Sequence, residues 1–103
     1  MSIMDLTSLS NDEVCLYLAS RIRSERIRQG LTQLGMSEKT GIALRTYKRI
    51  ELTGAGSMQN LVIILRALDR ITAIRILIPS SELTHRPTIL DRIQSIAEKN
   101  LEK

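Results

Sequence analysis

Arg45, Lys48 and Arg49 stand within five residues of one another in "GIALRTYKRIE", Gly41 to Glu51. A helix turns about 100° per residue. On that wheel the three cations share one side, with Leu52 among them, while Ala43, Tyr47 and Ile50 share the other. Such a helix docks through a small apolar face and turns a concentrated cationic face away from it. Cations grouped this way can sit in solvent. They can also meet phosphates and the acceptor edges of bases, for which Arg offers a planar, bidentate fork.

Other chemistry is scarce. One cysteine and one histidine allow neither a disulfide within the chain nor a metal cluster. Cys15 lies beside Leu16 and Leu18 in an apolar run and is expected to be a buried, inert thiol. His85, in a polar linker, is expected to be exposed. Met36 and Met58 are expected to fill gaps in the core. No nucleophile and base flank a glycine turn, and there is no phosphate loop. The paired acids Asp12 and Glu13 suit a helix start instead. The expectation is a protein that is not an enzyme and takes no cofactor or metal. Tyr17 and Tyr47 are the only aromatics, which leaves no platform for stacking single-stranded bases.

The elements that must hold the cations are legible from caps and periodicity. A chain of 103 residues, 43% of them hydrophobic, is one domain's worth and should fold. Residues 1–9 read as a loosely docked arm. Ser10 and Glu13 form a capping box for a first helix, whose apolar residues Val14, Leu18, Ile22 and Ile27 keep a helical period to Gln29. Gly30 ends it. Thr32 caps a short second helix from Gln33 to about Lys39, and Gly41 supplies a turn. The third helix runs from about Ala43 to Leu52, with Tyr47 in the core and its hydroxyl reaching the edge. Ser57 caps a fourth, striped by Leu61, Ile64, Leu65 and Leu68. Residues 71–78 fit a helix ended by Pro79, or a strand, since "IRILI" is rich in β-branched residues. Pro87 suits the first turn of a last helix to about Asn100, with Ile89, Leu90, Ile93, Ile96 and Ala97 on one side. The expected organisation is an arm at 1–9, a compact domain at 10–78, and a linker and helix at 79–103 for a dimer or partner contact.

The charge is +4, with Arg21, Arg23, Arg26 and Arg28 inside eight residues and the acids spread out. Arg21, Arg23 and Arg28 read as solvent-facing charges on the first helix. A mild positive excess is compatible with nucleic acid without identifying it. The start of the chain lacks a basic region followed by an apolar core, and the longest apolar run, Leu61 to Leu65, is too short to cross a membrane. A cytoplasmic protein is expected.

"TQLGMSEKTGIALRTYKRIE", Thr32 to Glu51, resembles the helix-turn-helix of the Cro/phage-repressor (Xre) family of bacterial regulators. Thr32, Gln33, Gly41, Ile42, Thr46, Arg49, Ile50 and Glu51 fall on that family's pattern without an insertion. The flanks "RIRSERIRQGL" and "SMQNLVIILRALD" agree, so the resemblance covers about residues 13–69. Gly35, Met36, Ser37, Ala43 and Tyr47 depart from it, where the family usually has Glu, Leu, Ala, Ser and Ile.

The resemblance implies an all-α, lambda-repressor-like domain of five helices with a C-terminal extension helix. It implies a sequence-specific regulator of transcription, a repressor that binds double-stranded DNA as a homodimer on a palindrome and is nucleoid-associated when bound. Leu44, Arg45, Lys48 and Arg49 would read bases in the major groove. Thr32, Gln33 and Thr46 would hold phosphates. Arg26 and Glu51 would form a structural ion pair. The tail "ALDRITAIRILIPSSELTHRP" also resembles the extension of HipB-type antitoxins. That alternative implies a protein that neutralises a kinase-like toxin and represses its own operon.

Overall fold

The computed structural model describes residues 5–80 and 89–101, and these are helical, with no strand among them. Helices α1 (Asn11–Arg28), α2 (Gln33–Thr40), α3 (Leu44–Thr53) and α4 (Met58–Ala67) are followed by the single turn α5 (Ile74–Leu77) and by α6 (Ile89–Leu101). The chain divides into two compact units, Met1–Ile71 and Thr72–Lys103. The division falls at the start of the 71–78 segment.

Local sequence sets most of the boundaries. The Ser10 hydroxyl accepts from the Glu13 N–H while the Glu13 carboxylate accepts from the Ser10 N–H, closing the capping box of α1. Thr32 caps α2 through the Gly35 N–H at 2.9 Å, and Ser57 caps α4 through the Asn60 N–H at 3.0 Å. α2 forms to Thr40 in spite of Gly35, and Gly41 stops it at φ +75°. Ahead of α1, the Asp5 carboxylate caps a 3₁₀ turn at Leu6–Ser8; residues 1–4 of the expected arm, His85 and Pro87 lie outside the described residues. The 71–78 segment is helical: a 3₁₀ turn at Ile71–Ala73 leads into α5, and Ile78 is extended because a residue before proline avoids the α region.

In the first unit, α1 packs on α3, and α2 packs on both α3 and α4. Tyr47, Met36, Ile64 and Leu68 are the largest fully buried side chains, joined by Ile22, Ile42, Ile50 and Ala67. The tightest approach is at Gly54, which has φ +75°. A Cβ there would stand 2.6 Å from the backbone oxygen of Cys15, so only glycine lets the end of α3 meet α1 this closely.

Several expected core positions are on the surface instead. α1 buries Ala19, Ile22 and Arg26, whereas Leu18 and Ile27 are exposed. The buried line follows the side turned to α3, and it includes a charged residue that hydrophobicity alone passes over. Cys15 is exposed rather than buried, because it borders an open apolar groove of about 190 Å³ that Ala19, Ile22, Ile50 and Ile64 line more deeply. Met58 opens α4 at the rim of the same groove and is 86% exposed, so it fills no gap.

Candidate nucleic-acid interface

α3 is held from beneath by one carboxylate. Glu51 accepts from Arg26 Nε at 2.7 Å and Arg26 Nη2 at 3.1 Å, a bidentate pair between α3 and α1. Its Oε1 also accepts from Gln33 Nε2 of α2 at 3.2 Å, and its Oε2 accepts from the Tyr47 hydroxyl. The remaining Arg26 nitrogen, Nη1, donates to the Leu31 carbonyl at 2.8 Å, in the turn between α1 and α2. Donors from three helices thus converge on a side chain that is 3% exposed. No buried side-chain nitrogen or oxygen among the described residues lacks a partner. The network fixes the α2–α3 pair as a unit.

The electrostatics follow from this packing. Burial would raise the Glu51 carboxyl, but hydrogen bonds from Arg26, then Tyr47 and Gln33, outweigh it and leave the group below its ordinary 4.5. Burial, and then the bond to Glu51, push the Tyr47 hydroxyl far above its usual range, so it stays a neutral donor. On the surface, hydrogen bonds from Arg28 and then Arg70 hold Glu25 down to about 2. Both carboxylates have lower pKa values folded than unfolded. Their contribution is complete above the unfolded value and is lost as pH falls through the folded one. The urea midpoint is therefore expected to hold near neutrality and drop between about pH 5 and pH 2. A midpoint independent of acid would overturn the assignment of these pairs.

The opposite side of α3 carries Arg45, Lys48, Arg49 and Leu52, all exposed. The three cations make no hydrogen bond or ion pair among the described residues. Arg26, Arg28 and Arg70, by contrast, are all paired with acids. Leu44 differs from the expectation of an outward-pointing reader: it is half-buried, the first residue of α3, with only part of its side chain presented. Ala43 also differs. It is exposed, and precedes the helix as an N-cap without a side-chain bond, so the docking side is Tyr47, Ile50 and Glu51. That leaves the first N–H groups of α3 without a side-chain acceptor.

The three residues expected at phosphates are not alike. Thr46 is exposed in the first turn of α3. Thr32 is exposed, with its oxygen already capping α2. Gln33 is half-buried and tied by its amide to Glu51, which leaves its carbonyl and backbone N–H as its means of reaching outward. Thr32 and Gln33 line an open groove of about 620 Å³ whose floor is Arg26 and Glu51 and whose rim carries Arg23, Lys48 and Leu52. Sequence reasoning read Arg23 as a solvent-facing charge and Leu52 as a member of the cationic side of the third helix, and assigned neither to the site. Their signal is spacing: Arg23 is one turn before Arg26, and Leu52 one turn after Lys48.

Among the described residues no group of His, Cys, Asp and Glu could hold a metal ion, and no helix is long and apolar enough to cross a membrane. In comparison with known proteins, the chain matches no family model and no curated protein.

Proposed function

We propose that the protein is a sequence-specific regulator of transcription that binds double-stranded DNA as a repressor, with α3 in the major groove. The observation that carries this reading is the contrast across α3. Three unpaired cations project from one side, while the other is locked by a four-residue network, centred on the buried Glu51, to both α1 and α2. A major-groove reader needs side chains free to meet base edges on a backbone that does not move. Arg45, Lys48 and Arg49 are the base readers, and the half-buried Leu44 offers a methyl-sized contact to thymine. Thr46, Thr32 and the Gln33 backbone face phosphates, with Arg23 and Lys48 on the rim of the groove that Thr32 and Gln33 line. One helix reads few base pairs, so useful affinity calls for two copies on a two-fold site with half-sites about 34 Å apart.

Selection from a random duplex pool, followed by titration at two salt concentrations, tests this reading. Enrichment of a palindrome is expected, with affinity falling by a log–log slope of about −0.9 per phosphate neutralised. Failure to enrich any sequence, or affinity that ignores salt, would count against it.

A second reading is an antitoxin that neutralises a kinase-like toxin and represses its own operon. It is favoured by the large apolar side chains exposed in residues 72–80 and 89–99. The two are compatible, and a stoichiometric complex with the product of the neighbouring gene would support the second.

A further inference from the structure

Of the four residues assigned to base edges, Leu44 alone can neither donate nor accept a side-chain hydrogen bond. It is also the one of the four that is partly buried. Arg45, Lys48 and Arg49 are exposed and have no partner among the described residues, so each must be ordered when it meets a base. Leu44 opens α3 on the boundary between the cationic side and the side that Tyr47, Ile50 and Glu51 dock. Its buried part restricts its rotamers, and the part left in solvent is an apolar surface already in place. Its backbone belongs to the helix that the Glu51 network holds to α1 and α2.

What an apolar side chain can recognise in the major groove is narrow. The base edges there carry donors and acceptors, and one apolar group, the C5-methyl of thymine. Beside that carbon thymine presents the O4 acceptor and cytosine the N4 donor. Arg and Lys, which are donors only, tell these two apart. Leucine bonds to neither, so all that it gains is the burial of a methyl. A cytosine methylated at C5 offers the same methyl at the same place on the ring. Leu52 is the other large apolar residue on this side of α3, and it lies on the rim of the groove that Thr32 and Gln33 line, at the phosphates of the DNA reading.

We infer that Leu44 reads the C5-methyl group itself and not thymine as a base, so that operator binding responds to cytosine methylation at the position this residue faces. The inference rests on the DNA reading above and goes beyond it, because it makes the first turn of α3 a reader of 5-methylpyrimidines, thymine and 5-methylcytosine alike.

The test compares duplexes that differ by one methyl. Thymines of the selected operator are replaced one at a time by deoxyuridine, and the affinity of the full chain is measured by fluorescence anisotropy at fixed salt. At one position the loss of the methyl is expected to weaken binding about four-fold, the equivalent of one methylene-sized group returned to water. At that same position, duplexes with cytosine or 5-methylcytosine opposite guanine are expected to differ by the same factor, in favour of the methylated one. Leu44→Ala is expected to remove both differences, and Leu52→Ala to leave both in place. Should Leu44→Ala fail to fold, Leu44→Gln makes the same distinction, since it keeps the length of the side chain and replaces its methyls with an amide. Four results would each overturn the inference while the DNA reading stands: no thymine whose methyl matters, a response to thymine without one to 5-methylcytosine, a methyl effect that survives in a folded Leu44 variant, or one that Leu52→Ala removes. A chain that enriches no sequence would overturn the DNA reading, and this inference with it.

Discussion

Arg26→Ala is expected to destabilise the first unit by about 3–5 kcal/mol, the usual cost of removing one partner from a buried ion pair. The substitution strands a carboxylate. Glu51 is 3% exposed, and without Arg26 it keeps only the Tyr47 hydroxyl and the Gln33 amide as donors. The Leu31 carbonyl loses its guanidinium donor as well. A domain of this size has a total stability of only about 4–10 kcal/mol. The variant should therefore melt far below the wild type and be largely unfolded in modest urea. Glu51→Ala should be similarly costly, since it leaves a buried guanidinium with one carbonyl. Combining Arg26→Met with Glu51→Leu should lose much less than the sum of the single changes, because no charge is then left without its partner. Urea denaturation of the three variants measures this. Additive losses would mean that the pair contributes nothing as a pair, and α3 would then have to be held by its apolar contacts alone.

Those contacts were partly legible in the sequence, and the reason differs from residue to residue. Ser10, Thr32, Gly41 and Ser57 act on backbone groups within four residues of themselves, so their effect can be read locally, and each stands where a helix begins or ends. Arg26 and Glu51 lie far apart in the chain, and no local rule joins them; only the resemblance to a known helix-turn-helix did so. Tyr47 reads as apolar core, yet its hydroxyl turns inward to Glu51, because the network needs a third donor at that point. The exposure of Cys15, Ile27 and Met58 was not legible at all. Periodicity finds a stripe on α1, but which edge of the stripe is covered depends on where α3 and α4 lie. The outward side of α3 follows from spacing alone. That Arg45, Lys48 and Arg49 are also unpaired does not, since Arg28 and Arg70 have the same composition and are engaged by Glu25.

That distinction sets the second large effect. Arg45→Ala with Arg49→Ala is expected to weaken binding to the selected operator by about 2–6 kcal/mol, at about 1–3 kcal/mol for each bidentate contact to guanine. Every tenfold in affinity corresponds to about 1.4 kcal/mol. The loss should therefore range from tens-fold to many thousand-fold. Stability should hardly move, because both side chains are exposed and neither has a partner among the described residues. The double variant thus separates reading from folding, which Arg26→Ala cannot do. Arg23→Ala is the informative control. Its side chain lies on the rim of the groove near the start of α2 rather than on α3. It should weaken operator and unrelated DNA alike, and lower the salt slope by about one unit per copy, as expected of a phosphate contact. If the double variant lost affinity equally for every sequence, the two arginines would be phosphate contacts, and the reading of bases would pass to Lys48, Leu44 and Leu52. If it kept full operator affinity with its fold intact, the outer side of α3 would not enter the groove, and the assignment of this helix as the reader would fall.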